Sequence, residues 1–247
     1  MKIGFAVDYF DDNYTDIACY SRIVSIKGVA TETLFNVATS NLDTLEYILK
    51  IIATLPDSNR FYRMPTYLIP GIDRLTKHGY FKELSLRLTA LGMYANANNI
   101  RLSFHANLTT VLGSSKDNVV SNSIRHIETL AKIAEIMCMR DRSQLVINTH
   151  ATGELGSEGF IHSFKKLSDS AKSFLVAEND EFSNGLSSII EIGEYCPIVL
   201  DIHHHWVCTG QYIALENELV QRVIWSWQGI RPKLHYTTCE ESILLKY

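Results

Sequence analysis

Five side chains that can bind metal ions each follow a short run of apolar, strand-forming residues. They are His105, His150, Glu178, Asp201 and His235. If these runs form neighbouring parallel strands, their carboxyl ends meet at one edge of the sheet and bring the five side chains close together. Carboxylates and imidazoles crowded in this way are costly to bury unless a cation neutralises the carboxylates. The sequence therefore predicts a cluster of divalent metal ions.

The types of ligand restrict both the metal and the chemistry. Imidazole and carboxylate without thiolate suit zinc, manganese or iron better than calcium or magnesium alone. A carboxylate between two pairs of histidines can bridge two ions, and ions ~4 Å apart stabilise the attacking and leaving oxygens of phosphate displacement. The pattern favours phosphodiester hydrolysis. Each residue taken singly also has a structural explanation, because a strand-end Asp or Glu commonly caps the next helix.

Strand-forming runs alternate regularly with amphipathic helical patterns along the chain. The runs cover 2–7, 61–64, 101–105, 144–150, 173–178, 197–201 and 232–237, and the helical patterns cover 31–55, 82–98, 119–138, about 160–172, 185–195 and 213–227. This alternation predicts parallel strands with helices outside, in either a (β/α) barrel or a doubly wound sheet. Because a barrel brings all strand ends to one rim, the metal-capable strand ends favour the barrel.

The number of strands is one short of a complete barrel. About ten residues follow the seventh run, whereas a crossover to another parallel strand needs about a dozen or more. We therefore expect an α/β fold, a TIM-like (β/α) barrel that is incomplete with seven clear parallel strands, in one domain over residues 1–247. The gap in such a barrel would expose a sheet edge that invites self-association.

Composition and charge exclude several classes of protein. The net charge of −4 lacks the basic footprint of most nucleic-acid binders, although bound divalent metals would add positive charge where phosphate sits. The five cysteines are widely spaced without a CxxC pair, which argues against a disulfide framework and a zinc ribbon. No apolar run reaches the ~18 to 20 residues of a membrane span, and no signal peptide is recognisable, so we expect no membrane partner and a cytoplasmic protein.

The segment "VLDIHHHW", residues 199–206, raises the question of which histidine faces the metal cluster. Successive residues of a strand point to opposite faces, so His203, His204 and His205 cannot converge on one point. On an ideal strand, His203 and His205 would share the side of Asp201.

Six segments, taken in order, resemble those of the UV damage endonucleases, which are TIM barrels related to the apurinic endonuclease IV and xylose isomerase-like superfamily. They are "RMPTYLIP", "LSFHANL", "INTHATG", "VAENDE", "LDIHHHW" and "PKLHYT". The resemblance extends from about residue 2 to residue 237. It implies a manganese-dependent enzyme that nicks double-stranded DNA immediately 5′ of photoproducts and some other lesions. The residue types leave zinc and iron as alternatives to manganese.

The resemblance also implies a ligand set for each ion. By this match, His105, His150 and Glu178 hold the first ion. Glu178, Asp201 and His235 hold the second, and His204 matches a ligand of the third. We therefore expect two or three ions per chain. Lys233 lies near the third ion, where the family can use a modified lysine, and we expect catalytic roles for Glu178, His204 and Lys233. If His204 is the ligand, the backbone must leave strand geometry at about Ile202 and turn into a loop.

The chain departs from the family pattern where the family contacts DNA. Tyr67 stands where family members have histidine, and Leu108 and Thr109 stand where the family has a Gln-Tyr pair that enters the duplex at the lesion. Without that aromatic ring, stacking worth ~1 to 3 kcal/mol is lost. We still expect these three residues to bind substrate, together with Arg63, which could contact a phosphate, and Trp206, which could stack on a base.

A second departure lies at the carboxyl end and leaves two other functions open. The family continues to a further histidine ligand and an eighth strand that ends in a metal-binding Glu, and this sequence has neither; Glu240 or Glu241 could supply a carboxylate. One alternative function is a metal-dependent enzyme that acts on a sugar or a small phosphate ester. The other is a non-catalytic relative that binds DNA or a protein partner.

Overall fold

The computed structural model describes residues 5–7, 9–10 and 16–235. The chain divides into two compact units, one within residues 1–105 and 129–147 and the other within residues 106–128 and 148–247. Glu240 and Glu241 lie outside the described residues, as do residues 236 and 237 of the seventh predicted strand. The expectation of one domain over the whole chain stays a prediction.

The described part of the first unit has three short strands at its amino end, followed by helices and two further strands. In chain order the elements are β1 (Phe5–Ala6), β2 (Tyr9–Phe10), β3 (Asp16–Ala18), α1 (Thr31–Thr54), β4 (Phe61–Met64), α2 (Ile72–Leu75), α3 (Tyr80–Ala97) and β5 (Arg101–His105). Strand β4 lies between β1 and β5 and pairs in parallel with both. Strands β2 and β3 form a separate antiparallel pair.

Helix α1 forms because its apolar residues recur at helical spacing. Leu34, Ala38 and Leu45 are buried, and they belong to one face of the helix. The helix ends before Leu55, whose backbone is extended. The following residue is Pro56, and a residue that precedes proline is sterically biased away from helical backbone angles.

Two elements contribute residues to both units. Helix α4 (Asp117–Ile136) has residues 117–128 in the second unit and 129–136 in the first, and strand β6 (Leu145–His150) has residues 145–147 in the first unit and 148–150 in the second.

The remaining described elements all belong to the second unit. They are α5 (Gly156–Lys165), α6 (Asp169–Phe174), β7 (Leu175–Glu178), α7 (Leu186–Ile189), β8 (Ile198–Asp201), α8 (Ile202–Thr209), α9 (Glu218–Ser226) and β9 (Leu234–His235). The strands of this unit are adjacent in the order β6, β7, β8, β9, and β8 pairs in parallel with both β7 and β9. Every residue of β7 and β8 is buried, as expected for parallel strands covered on both faces.

Helix α9 packs against the start of β8 through two buried hydrogen bonds. The indole N–H of Trp227 donates to the carbonyl oxygen of Ile198 at 2.7 Å, and the backbone N–H of Ile198 donates to the hydroxyl oxygen of Ser226 at 3.0 Å. These bonds satisfy both backbone groups of the first residue of β8, and they fix where the strand begins.

Most of the predicted elements are present in the described structure. Each of the seven strand-forming runs contains a strand, and helices α1, α3 and α4 confirm three of the helical patterns. The pattern at 160–172 is instead two helices, because the side chain of Ser168 caps a new helix by accepting from the N–H of Ala171. Helix α9 begins later than predicted because Asn217 caps it. Among the described residues, no helix combines the length and the hydrophobicity that crossing a bilayer requires.

We predict that Gly92→Ala destabilises the first unit. A Cβ atom at Gly92 in α3 would lie 1.9 Å from the carbonyl oxygen of Met137, so the helix would have to move. We expect the free energy of unfolding to fall by about 1 to 3 kcal/mol, although alanine is otherwise the better helix former. Urea denaturation measures this change. Gly79→Ala is the control, because a Cβ there meets nothing within 4 Å; equal midpoints for the two variants would contradict the close contact.

Candidate metal centre

The carboxyl ends of four neighbouring strands bring together four of the predicted ligands. His150, Glu178, Asp201 and His235 are the last residues of β6, β7, β8 and β9, and all four belong to the second unit. Asp201 and His235 lie directly opposite each other in the parallel pairing of β8 with β9. The fifth predicted residue, His105, is the last residue of β5 in the first unit. Its role as a ligand stays a prediction.

Glu178 is the most deeply buried member of this group, with 1 % of its surface exposed. Its Oε1 atom lies 2.6 Å from Nδ1 of His235, and its Oε2 atom accepts a hydrogen bond from the side-chain amide of Asn148. Its backbone carbonyl oxygen accepts from the N–H of Ala151 at 2.8 Å. An ionised carboxylate is stable in such a place only among donors or cations, and both carboxylate oxygens face donors here.

Asp201 is at once a helix cap and a member of the cluster. Its Oδ1 atom accepts a hydrogen bond of 2.9 Å from the backbone N–H of His204, which caps α8. Its Oδ2 atom lies 3.6 Å from Nε2 of His204 and 3.7 Å from Nδ1 of His235. The side chain of Asn179 makes two hydrogen bonds to the backbone of Asp201. Its Oδ1 atom accepts from the Asp201 N–H at 2.8 Å, and its Nδ2 atom donates to the Asp201 carbonyl oxygen at 3.0 Å.

The histidine triplet lies on helix α8, which begins directly after Asp201. The backbone leaves strand geometry at Ile202 as predicted, but the expected loop is wrong, because the capping carboxylate of Asp201 starts a helix there. His204 is thereby turned toward the strand ends, with its ring centroid 5.3 Å from that of His150. The ring centroid of His203 lies 6.2 Å from that of His204. His205 is buried, and its burial lowers the pKa of its imidazole.

Asp180 is a buried acid beside the cluster that the sequence analysis did not select. Its Oδ1 atom lies 3.5 Å from Nδ1 of His150. Its Oδ2 atom accepts hydrogen bonds from the backbone N–H groups of Phe182 and Ser183 and from the Ser183 hydroxyl, at 2.9 to 3.0 Å. Burial by itself raises the pKa of Asp180, but these hydrogen bonds, with His150 nearby, outweigh it and hold the pKa below its usual value.

Glu181 is the second carboxylate that the sequence analysis missed. Its Oε2 atom contacts Nδ1 of His204. The signal for both acids was present in the segment "VAENDE", where they lie two and three residues after Glu178. Strand ends do not identify them, because these two side chains belong to the turn after β7.

The donor set of the second unit fits divalent metal ions. One atom each from His150, Glu178 and His204 lie within 4.8 Å of one another, as do one atom each from Glu181, His203 and His204. Asp180 and Asp201 add two further carboxylates to the same neighbourhood. Imidazole nitrogens and carboxylate oxygens in these proportions suit manganese, zinc or iron. The side chain of the buried Asn148 donates to the Glu178 carboxylate through its nitrogen. Within the described residues, its oxygen accepts no hydrogen bond, so an unused acceptor lies beside that carboxylate.

The residues predicted to contact DNA belong to both units. In the first unit, Arg63 lies on β4, and the guanidinium of Arg22 lies 5.5 Å above the ring of Tyr67. In the second unit, Leu108 is 83 % exposed, and Thr109 beside it is also exposed.

Two further predicted residues belong to the second unit. Trp206 is half-buried on α8 rather than on the expected loop, with its ring centroid 6.5 Å from that of Tyr212 in a stacked arrangement. Lys233 is buried directly before β9.

Parallel strands covered by helices, with imidazoles and carboxylates gathered at their carboxyl ends, define a class of α/β proteins suited to metal-dependent catalysis. The family model of the UV-endonuclease UvdE matches residues 15–243. The chain therefore belongs to the UvdE family of UV-endonucleases.

Relatives in bacteria and fungi agree with this membership. The chain is 28 % identical over 255 residues to the UV DNA damage endonuclease of Clostridium perfringens, an alignment that covers 100 % of this chain and 60 % of that protein. It is 29 % identical over 231 residues to the UV-damage endonuclease of Schizosaccharomyces pombe, covering 87 % of this chain and 38 % of that protein. The chain thus spans about 60 % of the length of the clostridial relative.

A solved structure shows the same fold. The crystal structure of SacUVDE matches with a TM-score of 0.76 at 24 % sequence identity, and the match covers 98 % of this chain and 87 % of that one. It confirms the predicted α/β fold class of the TIM-like (β/α) type.

We predict that Asp180 stabilises the metal-free protein in a pH-dependent way. Because its folded-state pKa is depressed, its contribution is present above the ordinary aspartate pKa of ~4 and is lost as the pH falls through the folded-state pKa. Asp180→Asn keeps an acceptor oxygen but loses the charge, so we expect a loss of about 1 kcal/mol of unfolding free energy at pH 7. The difference from the unsubstituted protein should shrink in acid.

Urea denaturation at several pH values, with a chelator present, measures this effect. Asp169→Asn is the matched control, because the Asp169 side chain is fully exposed at the start of α6. A pH dependence that is the same for both variants would show that the hydrogen bonds to Asp180 do not stabilise its charge.

Proposed function

We propose that this chain is a divalent-metal-dependent endonuclease that hydrolyses a DNA phosphodiester on the 5′ side of a damaged or modified base. The observation that supports it most is the buried carboxylate of Glu178, which lies among histidines and further carboxylates at the strand ends of a UvdE-family chain. The relatives named UV DNA damage endonuclease support the same substrate class.

The residues proposed to hold the metal ions come from the strand ends and α8. They are His150, Glu178, Asp201, His204 and His235, with His105 added on the family resemblance alone. We propose manganese as the metal, with two or three ions per chain and zinc or iron as alternatives. Bound ions of this kind supply Lewis-acid stabilisation of the charge that develops on the phosphate oxygens.

Hydrogen bonds within the protein would hold the proposed metal ligands in place. The hydrogen bond from Asn148 and the contact with His235 hold the Glu178 carboxylate in one orientation, and the cap of α8 holds His204 against Asp201. We propose that Glu178, His204 and Lys233 act directly at the reaction centre. Lys233 is included because the family uses a modified lysine at the matching position.

Contacts with DNA are proposed for residues on several surfaces. Leu108 and Thr109 are exposed and could enter a weakened base step, and Trp206 has a stacked partner in Tyr212 that would extend a surface for a base. Arg63 and Tyr67 are proposed to contact the substrate as well. Self-association through a sheet edge beside β9 stays a prediction, since residues 236–247 lie outside the described part of the chain.

The experiment is a nicking assay on supercoiled plasmid, irradiated or intact, with added Mn²⁺. We expect nicking of the irradiated plasmid only. Loss of a residue that only supports a metal ligand typically lowers activity by ~10- to 100-fold. Glu178→Gln and His150→Ala alter proposed ligands themselves, so each should lower the nicking rate by at least this much. His162→Ala, on the exposed face of α5, is the control and should keep the full rate.

The alternative substrate class gives a different result in the same assay. The replacement of the family's Gln-Tyr pair by Leu108 and Thr109 favours a small phosphate ester. Hydrolysis of bis(p-nitrophenyl) phosphate without nicking of either plasmid would support that alternative and refute the endonuclease.

A further inference from the structure

Glu181 contacts the proposed metal ligand His204 at one of its two ring nitrogens. Oε2 of Glu181 meets Nδ1 of His204, and the two side chains are only 21 % and 19 % exposed. A polar contact that is buried to this extent is weakened by salt and water much less than a surface contact is. The other ring nitrogen of His204, Nε2, lies 3.6 Å from Oδ2 of Asp201.

This contact determines which ring nitrogen of His204 carries the proton. A neutral imidazole carries one proton, and the nitrogen within hydrogen-bonding distance of a carboxylate is the one that donates it. The Glu181 carboxylate contacts Nδ1, whereas Oδ2 of Asp201 lies 3.6 Å from Nε2, beyond hydrogen-bonding distance. With the proton on Nδ1 toward Glu181, the lone pair is on Nε2, the nitrogen that faces Asp201. A metal ion binds only the nitrogen that carries the lone pair, so the carboxylate of Glu181 selects the tautomer that can bind on the side of the strand ends.

We propose that Glu181 is a positioning residue, which fixes the tautomer and orientation of His204 so that Nε2 is available to a metal ion. The inference rests on the proposed function, because it takes His204 as a ligand. A carboxylate behind a ligating histidine also makes the imidazole a stronger ligand, since its negative charge stabilises the polarised ring.

The backbone of Glu181 is held in place independently of its side chain. The thiol of Cys208 donates to the carbonyl oxygens of Asp180 and Glu181, at 3.3 and 3.4 Å. Cys208 lies four residues after His204 on α8, so the two side chains share one face of the helix. The turn after β7 therefore meets α8 at two points, and the Glu181 carboxylate reaches His204 from a backbone that is already fixed.

An alternative role for Glu181 is direct metal binding, and experiment distinguishes it from positioning. Glu181, His203 and His204 each offer one ligand atom within 4.8 Å of the others, so Glu181 could bind an ion directly. Direct binding would place the Glu181 carboxylate on the ion itself, whereas positioning leaves it on Nδ1 of His204 and leaves Nε2 available to the ion. The hydrogen-bonding contact at Nδ1 favours positioning. The two roles differ in whether Glu181 still matters when His204 is absent.

The test is a Mn²⁺ titration of the metal-free protein, residues 1–247, with free Mn²⁺ measured by electron paramagnetic resonance. Glu181→Ala should weaken the affected binding step by ~10- to 100-fold. Glu181→Gln should weaken it less, by under ~10-fold, because the glutamine oxygen still accepts from Nδ1–H but carries no charge. In a His204→Ala background, Glu181→Ala should change the affinity by no more than about twofold, within the ~0.5 kcal/mol of independent substitutions.

Glu191→Ala, an exposed acid in the short 3-10 helix Ile190–Glu194, is the matched control and should bind as the unsubstituted protein does. Equal affinity in the unsubstituted and Glu181→Ala proteins would overturn the positioning role while leaving the proposed function standing. An equally large loss from Glu181→Ala with and without His204 would also overturn it, because Glu181 would then be a ligand itself. If the unsubstituted chain binds no Mn²⁺, the metal-dependent function and the positioning role both fail. Should the alanine variant fail to fold, the glutamine variant decides between these outcomes.

Discussion

The second unit depends on one electrostatic constraint, which is the burial of several carboxylates close together. Glu178 is 1 % exposed and Asp180 and Asp201 are each 7 % exposed. Ionised groups in such places must be neutralised or hydrogen-bonded, or they change protonation state. Asn148, His150 and His235 supply part of that compensation. Divalent ions would supply the rest, and the strand ends are suited to hold them because their backbone is fixed by the sheet.

The sequence predicted the part of this site that follows from strand ends. His150, Glu178, Asp201 and His235 were selected because each ends a run that reads as a buried strand, and parallel pairing places such residues at one edge. Asp180 and Glu181 could not be found in this way. Their positions depend on hydrogen bonds within the turn after β7, where Asp180 accepts from Phe182 and Ser183, and strand periodicity contains no information about such bonds.

The histidine triplet shows how local backbone geometry decides which side chains face the strand ends. A strand through residues 201–205 would place alternate side chains on one face, which favours His203 and His205 over His204. The family resemblance predicts His204 instead, which stays a prediction, and the structure shows how His204 comes to lie near Asp201. Because the Asp201 carboxylate accepts the backbone N–H of His204, a helix begins at Ile202, and residues three apart lie on the same face of a helix. The structural role of Asp201 as a cap therefore produces the geometry that its role in the cluster requires.

The acidic cluster also bears on how a chain with a net charge of −4 would act on DNA. Without cations, Glu178, Asp180 and Asp201 repel phosphate, whereas divalent ions in the cluster reverse the sign of the local potential. Under the proposed function, attraction for the DNA backbone is then concentrated at the metal centre instead of being spread over a basic surface. A lesion that weakens stacking lowers the cost of opening the duplex, so damage can be selected without reading base edges. Leu108 is 83 % exposed, and under the proposed function this apolar side chain could wedge between base steps in place of the family's aromatic ring.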